Sequence, residues 1–399
     1  MTNREDIASR PLPTGNILLV AGIILVSFNL RPALTSVGPL IGSIRTDTGL
    51  SGGMAGFLTT LPLIAFAVLS PLAPKIAERY GNERTIWAGL CALIVGIVLR
   101  SLGGTAALFA GTALIGLGIA ICNVLLPGLV KQRFPDKVGL MTSVYTTAMG
   151  TFAALASGLS VPLAQALHLG WQGALAGWSL LALIALVVWL PQLRSSGRFA
   201  RDQGKTSANG RLWRSPMAWQ VTVFMGLQSF AFYCTIAWLP EILHHHGMSV
   251  STAGWMLSIL QFVSLPATFL APVLASRLPN QSGMALVIGL FFLAGFGGLL
   301  GGGNSLLLFG SLVFLGIGLG ASISLALTMI VLRTTDTHQA SALSGMSQSF
   351  GYLLAAGGPI LIGILYDWTR SWTLPLVTLL AVSLLMTIAG IGAGRSKYV

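Results

Sequence analysis

The sequence is dominated by long apolar stretches that are separated by short polar loops. A membrane-spanning helix needs about 20 mostly apolar residues, because each residue advances a helix by only about 1.5 Å. Hydrophobic residues make up 54% of the chain and charged residues only 8%, a composition that excludes a soluble domain of 399 residues. Twelve stretches are long enough, and they cover residues 16–44, 51–71, 85–102, 106–129, 140–163, 171–190, 218–238, 251–274, 284–300, 306–331, 341–365 and 374–392. The sequence therefore predicts an all-α integral membrane protein with twelve transmembrane helices, which we number helix 1 to helix 12.

The basic residues fall mostly on one side of these helices. With both termini in the cytoplasm, only Arg45, Arg100 and Arg370 of the 22 Lys and Arg residues lie outside, and Arg31 lies within the membrane. Cytoplasmic loops carry an excess of Lys and Arg, so this arrangement favours a multi-pass protein of the bacterial cytoplasmic (inner) membrane with both termini inside. The net charge of +12 then reflects topology and contact with anionic lipids. Because the cations are spread over many short loops, we expect no nucleic-acid partner.

The two halves of the chain resemble each other. A shift of 200 residues lays Leu108, Phe109, Gly116, Gly118, Arg133 and Asp136 over identical residues, and a shift of 198 does so for Ser51, Ala55, Gly56, Pro74 and Arg79. Parallel repeats of this kind place a substrate site near the midplane between them. The longest polar interruption is rich in Gly, Ser and basic residues, as flexible linkers are. The sequence thus predicts an N-terminal six-helix bundle at residues 1–191, a cytoplasmic linker at 192–215 and a C-terminal six-helix bundle at 216–399.

Arg31 lies in the middle of helix 1, which the hydropathy pattern otherwise predicts as one unbroken apolar helix. A charge at this depth costs several kcal/mol or more, so it normally faces a protein-lined cavity and has a function. We interpret Arg31 as the centre of a substrate site. An arginine that snorkels to the interface or ties helices together remains the alternative.

The positions of the acidic residues indicate which kinds of solute can bind. All ten lie in tails, in loops or at helix ends, so none is left in the membrane core to neutralise Arg31. A bound anion, or an electron-rich neutral group such as a nitro or carbonyl group, is a suitable partner for the guanidinium. An exporter of cationic drugs would be expected to carry a membrane-embedded carboxylate, so a multidrug exporter is the less favoured alternative.

Several uncharged polar side chains within the predicted helices are further candidates for solute contact. On helix 1, Arg31 and Thr35 share one face, and on helix 11 Gln348 and Tyr352 do so. Each candidate could equally tie one helix to another by a hydrogen bond. The candidates are Asn29 and Thr35 in helix 1, Asn123 in helix 4, Tyr145 in helix 5, Gln228 and Tyr233 in helix 7, Gln261 in helix 8, and Gln348 and Tyr352 in helix 11.

Short motifs in the chain resemble a known family. The segment after helix 2, residues 74–84, resembles the loop signature of the major facilitator superfamily, although it departs from the pattern at Pro74, Glu78, Asn82 and Glu83. More specific are residues 29–40 of helix 1, Asn123 with residues 126–131 of helix 4, residues 237–240 closing helix 7, and residues 343–346 of helix 11. These segments are similar to those of the cyanate and 2-nitroimidazole transporter branch. The resemblance implies proton- or gradient-driven movement of a small polar solute and fixes neither the solute nor the direction.

Two segments are predicted to act as gates. The loop after helix 2, with Glu78, Arg79, Gly81 and Arg84, lies at the cytoplasmic ends of helices that must part when a cavity opens inward. Its acid and bases can lock the outward-open state, in which the cytoplasmic side is closed, through ion pairs and by facing a helix N-terminus. The run Gly357, Gly358 and Pro359 is predicted either to interrupt helix 11 and let it bend, or to allow close helix packing.

Other functions find little support. We see no pairing of nucleophile and base, no phosphate-binding loop and no soluble domain, so an enzyme or an ATP-driven pump is not expected, and no cofactor is implied. The run from His244 to His246 lies in the predicted outer loop after helix 7, where three adjacent side chains rarely converge on one metal ion. The expected partners are a small-molecule solute and membrane lipids, with the chain acting as a monomer. A solute sensor or receptor on a transporter fold remains an alternative, and a channel is a weaker one.

Overall fold

The structure is a computed structural model that describes residues 14–50, 52–165, 168–194, 212–302 and 305–399, and these residues are almost entirely helical. Eleven of their helices are long and apolar enough to cross a membrane, and a bent pair of shorter helices brings the number to twelve. The prediction of an all-α, twelve-helix membrane protein is confirmed. Most of the predicted linker, residues 195–211, and the start of the chain, residues 1–13, lie outside the described residues.

The helices follow the predicted order, and we number them α1 to α12. The first, α1, comprises Thr14–Phe28, Pro32–Thr35 and Val37–Thr48, and α2 comprises Gly52–Leu69 and Leu72–Tyr80. The remaining helices of the N half (residues 14–194) are α3 Asn82–Ser101, α4 Thr105–Arg133, α5 Val138–Gln165 and α6 Gly170–Trp189. The helices of the C half (residues 212–399) are α7 Pro216–His245, α8 Val250–Arg277, α9 Ser282–Gly301, α10 Ser305–Leu332, α11 Thr337–Thr369 and α12 Thr373–Ala393.

Each half packs through small residues. Within the N half, α3 lies along α4, and within the C half α7 lies along α11 and α8 along α10. A Cβ atom added to Gly96 of α3 would lie 2.7 Å from the backbone nitrogen of Ile115 in α4. Lipid tails are as apolar as the helix surfaces, so helices in a membrane associate through this kind of close backbone approach.

The halves meet along two related seams. In the first seam, α11 of the C half packs against α2 and α4 of the N half. In the second, α8 of the C half packs against α5 of the N half. Several contacts lie towards the end of the bundle at which α2, α4 and α8 finish. We call it the basic end, because Arg79, Arg133 and Arg277 lie there.

The first helix is broken, contrary to the prediction of one continuous helix. Pro32 has no N–H to donate to the carbonyl of Phe28, and its ring clashes with the preceding turn. The chain turns instead through short-range bonds from Asn29 N to Val26 O (3.0 Å) and from Leu30 N to Ser27 O (3.2 Å). A second turn follows at Ser36. Arg31 thus precedes the four-residue helical piece Pro32–Thr35 and is freed from a regular helix face.

Two other local predictions are wrong. The segment after helix 2 is largely helical, because α2 continues to Tyr80 and α3 begins at Asn82, with Gly81 between them in a positive-φ conformation (91°). Helix α7 does not close at Pro240 and runs on to His245, so most of the histidine run belongs to its last turn. In both places the outer helical turns extend beyond the apolar stretch, which marks only the part of a helix that lipid must cover.

Helix α11 is also continuous, from Thr337 to Thr369, with Pro359 inside it. Of the two roles predicted for Gly357, Gly358 and Pro359, an interruption of the helix is not seen in this structure. A Cβ atom on Gly358 would lie 2.8 Å from Cys234 Sγ, and Trp238 Nε1 donates a 2.9 Å hydrogen bond to the Pro359 carbonyl. These contacts favour the alternative reading, in which the small residues let α11 pack closely against α7.

Candidate solute-binding site

The break in α1 places Arg31 beside a cavity between the two halves. Its guanidinium carbon lies 5.2 Å from the centre of the Phe232 ring of α7, close enough for a cation–π interaction. The cavity has a volume of about 70 Å³. It is lined from the N half by Arg31, Thr35, Thr146, Met149, Gly150 and Ala153, and from the C half by Gln228, Ser229, Phe232, Tyr233, Leu260, Gln261, Ser264, Thr268, Leu319, Gly320 and Ile323.

The lining is polar on several sides and carries a single formal charge. Among the described residues that line the cavity none is acidic, and Arg31 is the one cation. The ion pair of Glu83 with Arg133 and the contact of Glu78 with His338 involve residues that do not line it. The guanidinium therefore faces rings, hydroxyls and amides, and its charge is free to bind a solute.

Five of the ten predicted solute-binding residues line the cavity, namely Arg31, Thr35, Gln228, Tyr233 and Gln261. The hydroxyl of Thr35 is positioned by bonds to the Arg31 carbonyl (3.2 Å) and to the Ala153 carbonyl of α5 (3.1 Å). The amide of Gln228 donates to Met225 O (3.1 Å). These bonds fix the orientation of the side chains at the edge of the cavity.

Three tyrosines extend from Arg31 towards the interior of the bundle. The Tyr233 hydroxyl interacts with the Arg31 guanidinium, and Tyr352 lies within electrostatic range of both groups. Tyr145 in turn lies within range of Tyr352. Tyr145 is only 2% exposed, and among the described residues its hydroxyl has no hydrogen-bond partner. An unpaired buried hydroxyl costs about 1–3 kcal/mol, and neither Tyr145 nor Tyr352 is among the residues that line the cavity.

Three predicted residues bond to other helices instead. Asn29 donates to Leu25 O (2.7 Å) in its own helix and to Leu181 O (3.4 Å) of α6. Gln348 donates to the carbonyl of Asn123 (3.0 Å), which joins α11 to α4, and to Ser344 Oγ (2.9 Å). None of the three lines the cavity. For Asn29 and Gln348 the helix-tying alternative is the one that their side-chain contacts support, whereas Asn123 takes part through its backbone carbonyl.

Sequence reasoning missed part of the lining. On α8, Ser264 and Thr268 follow Gln261 at spacings of three and seven, which places all three on one helix face. That polar stripe within an apolar helix was a readable signal. Phe232 carried no such signal, because an aromatic ring in a membrane helix usually faces lipid or packing neighbours.

Arg100 is a second cation whose burial the sequence did not predict, since it lies near the end of an apolar stretch. It is completely buried, and its Nη1 donates a 2.6 Å hydrogen bond to the carbonyl of Ala33 in the broken part of α1. Among the described residues its Nε and Nη2 have no partner. The bond satisfies a carbonyl near the second turn of α1, so Arg100 holds in place the short piece that follows Arg31.

The predicted gate lies at the basic end. The Glu78 carboxylate contacts His338 Nε2 at 2.5 Å, which joins the end of α2 to the start of α11. Lys131 of α4 donates to the Val331 carbonyl (2.7 Å) and to the Thr334 carbonyl at the end of α10. Arg79 stacks over the neighbouring Tyr80 ring, 5.4 Å from its centre. Gly81 forms the joint between α2 and α3, and Arg84 is exposed to solvent.

A bundle of twelve membrane helices in two halves, with a small polar cavity between them, defines the chain as a transporter of small solutes. The family model of the Major Facilitator Superfamily matches residues 18–351 and 225–394, and the chain belongs to this superfamily. It is not an enzyme. It is a multi-pass membrane protein, as the sequence predicted.

Comparison with known proteins places the chain within a branch of the superfamily. It is 58% identical to the uncharacterized transporter YycB of Bacillus subtilis (strain 168), over 96% of this chain and 94% of the relative. It is 44% identical to the 2-nitroimidazole transporter of Escherichia coli (strain K12), over 96% and 97% of the two chains. It is 28% identical to the cyanate transport protein CynX of the same strain, over 86% and 88%. The resemblance to the cyanate and 2-nitroimidazole branch is confirmed.

A solved structure shows the same fold. The proton:xylose symporter XylE, bound to 6-bromo-6-deoxy-D-glucose, aligns with a TM-score of 0.80 over 97% of this chain and 98% of that chain, at 13% sequence identity. At this level of identity the likeness concerns the fold alone.

Proposed function

We propose that this protein is a secondary active transporter that moves a small anionic or electron-rich polar solute by alternating access, with Arg31 as the principal binding group. The observation that carries the proposal is the Arg31 guanidinium at a cavity between the halves, with no carboxylate in the lining. A cation in such surroundings gains most from a solute that brings negative charge or oxygen acceptors.

The shape of the site favours a planar solute. A guanidinium offers a flat fork of donors that matches two oxygen atoms on one carbon or nitrogen, as in a carboxylate or a nitro group. Phe232 presents a ring to the same region, and the tyrosine hydroxyls add donors at its edge. The nitro group of a nitroimidazole-like compound fits this fork, and a cyanate-like anion, which is linear and has one oxygen, fits the site through its negative charge, in keeping with the names of two relatives. Within the proposal, Asn29, Asn123 and Gln348 position helices, while Tyr145 and Tyr352 complete the site.

The proposal includes an orientation. With the basic end in the cytoplasm, both termini are cytoplasmic and the protein lies in the bacterial inner membrane. The contacts of Glu78 and Lys131 then close the cytoplasmic side, so this conformation binds solute from the outside. The two six-helix bundles, residues 1–191 and 216–399, rock against each other as a monomer around the site, joined by the linker at 192–215.

The gate residues take their places in this cycle. Glu78 parts from His338, and Lys131 from the end of α10, when the cytoplasmic side opens. Gly81 is the joint about which the end of α2 swings, while Arg79 and Arg84 face the anionic leaflet. Gly357, Gly358 and Pro359 lie where α11 must slide along α7. We extend the proposal to coupling with the proton gradient, which the flux experiment below tests.

The test is solute flux into proteoliposomes with and without an imposed proton gradient. Candidate solutes are cyanate, a nitroimidazole and small aromatic carboxylates. We expect accumulation of at least one of them that collapses with the gradient and is abolished in Arg31→Ala. Arg395→Ala removes an exposed arginine at the basic end and serves as the control. Saturable binding without any flux would instead identify a receptor on a transporter fold, and flux of lipophilic cations would identify a multidrug exporter.

A further inference from the structure

A second and larger cleft lies between the two halves at the basic end. It has a volume of about 930 Å³ and shares no residue with the cavity at Arg31. One wall is the end of α4, the turn at Pro135–Lys137 and the start of α5, all from the N half. The other wall is formed by the ends of α8 and α10 together with Tyr398, from the C half.

Positive charge from both halves faces this cleft. Its lining contains Lys131, Lys137 and Arg277, against a single carboxylate from Asp136. The ammonium of Lys131 is held in the wall by its bonds to the carbonyls of α10. Lys137 and Arg277 are exposed, and they belong to different halves. An anion placed between these two side chains would therefore be bound by both halves at once.

The start of α5 adds to this attraction. The first N–H groups of a helix have no partner within it, and the helix dipole gives that end a partial positive charge. Helix α5 begins at Val138, and Val138, Gly139 and Leu140 all line the cleft. Gly139 packs so closely against Ser276 of α8 that a Cβ atom would collide with its hydroxyl, so α5 and α8 meet at this edge of the cleft. Tyr398 contributes an exposed phenol from the opposite wall.

We propose that this cleft binds a phosphate-bearing anion, which bridges Lys137 and Arg277 and holds the two halves together at the basic end. Phosphate oxygens match both a basic side chain and a helix N-terminus. The ligand can be the headgroup of an anionic phospholipid, because the cleft lies where the helices leave the membrane, or a soluble phosphate compound. Binding does not depend on the proposed transport function, whereas its effect on the cycle does, since it stabilises the state closed at this end.

The experiment measures thermal unfolding of the purified full chain in nanodiscs. One arm compares phosphatidylcholine with phosphatidylcholine that contains increasing phosphatidylglycerol. The other arm titrates pyrophosphate into phosphatidylcholine discs, against sodium chloride at matched ionic strength. We expect saturable stabilisation in at least one arm. Each single variant, Lys137→Gln or Arg277→Gln, should raise the anion concentration that gives half-maximal stabilisation about fivefold. The double variant should raise it about thirtyfold, as expected for about 1 kcal/mol per cation.

The matched control is Lys75→Gln with Arg395→Gln, which removes two exposed cations at the same end but outside the cleft. Stabilisation by pyrophosphate identifies a soluble anion, and stabilisation by phosphatidylglycerol alone identifies the lipid. Equal weakening in the control and the double variant would show general charge screening and overturn the proposal, as would no stabilisation in either arm. Solute affinity at Arg31 should stay within about twofold in the double variant, so loss of this site is distinguishable from failure of the transport proposal.

Discussion

Helices α1 and α7 occupy equivalent places in the two repeats, yet they reach the cavity in different ways. Helix α1 is broken twice and presents Arg31 from a turn, whereas α7 is continuous and presents Gln228, Phe232 and Tyr233 from a regular face. A shift of 200 residues lays Arg31 over Ala231, so the cation has no counterpart in the second repeat. The repeats therefore share a framework, and the chemistry of the site comes from their differences.

This difference has a structural cost that other residues offset. A broken helix in a membrane leaves backbone carbonyls without partners, and these cost free energy unless another group satisfies them. Arg100 donates to one such carbonyl, that of Ala33. The shift of 198 that aligns the basic ends of α2 and α8 lays Arg100 over Gly298 of α9, which has no side chain, and α7 is unbroken. In the proposed function, Arg31 thus binds the solute and Arg100 supports the piece of α1 that follows it.

The largest expected effect comes from making α1 as uncharged as α7. Arg31→Ala should weaken solute binding about a hundredfold or more, because a bidentate charge-assisted pair contributes about 1.5–3 kcal/mol per hydrogen bond. Arg31→Lys should recover only part of this, since an ammonium cannot reproduce the planar fork. Equilibrium binding in detergent measures both. A lysine variant as strong as wild type would show that charge alone, and not the fork, matters.

The supporting arginine is expected to have the next largest effect. Arg100→Met keeps a long side chain and removes the donor to Ala33, so the short piece after Arg31 loses its anchor. Loss of a buried hydrogen-bond partner costs about 1–3 kcal/mol, and we expect solute affinity to fall about tenfold. The measurement is binding of solute together with the thermal unfolding midpoint.

A purely structural role for Arg100 would lower the unfolding midpoint and leave affinity unchanged in the folded fraction. Removal of a buried charge by itself is often neutral or stabilising, so a lower affinity without a lower midpoint would support the positioning role. Ile97→Met, at a buried site one turn away, controls for repacking.

The tyrosines test whether the site extends beyond the lining of the cavity. Tyr145→Phe removes a hydroxyl that has no partner among the described residues, so stability should be unchanged or slightly higher. Solute affinity should fall about threefold to tenfold if that hydroxyl donates to the solute. Unchanged affinity with unchanged stability would remove Tyr145 from the site. The result separates a binding tyrosine from a packing one.

Much of the fold could be predicted from the sequence because it depends on local hydropathy. The twelve helices and the depth of Arg31 follow from the length of apolar stretches and the position of one charge within them. The ends of the helices were less accessible. Helices α2 and α7 run on past their apolar parts, since polar turns outside the lipid leave no hydropathy signal.

The site was only partly predictable, because its composition depends on how helices pack. Gln348 and Gln261 are the same residue type in similar surroundings, and only the packing shows that one reaches the Asn123 carbonyl and the other lines the cavity. Arg100 lies near the end of an apolar stretch, where the sequence cannot distinguish a surface residue from one covered by a neighbouring helix. The break in α1 was visible in principle, because Pro32 follows Arg31 directly.

The smallest expected effect is that of Glu78→Gln, which tests a difference between the two seams that join the halves. The seam of α2 with α11 joins a carboxylate to an imidazole, whereas that of α5 with α8 relies on close packing at Gly139 and on Ser143, which donates to Phe269 O (2.6 Å). Both side chains of the charged contact are partly exposed, so it contributes about 1 kcal/mol at most. Glu78→Gln should shift the population towards the state open at the basic end by about fivefold or less.

Such a shift slows turnover without touching the solute, so affinity should stay within a few-fold. Flux, equilibrium binding and the accessibility of a cysteine placed at the basic end measure the three quantities. Glu241→Gln, an exposed acid near the end of α7, is the control. If the contact acts as a lock, His338→Gln should have the same effect, and the double variant should add little to either change. A Glu78→Gln variant that loses solute binding while accessibility is unchanged would contradict the gate assignment, because it would connect Glu78 to the site at Arg31.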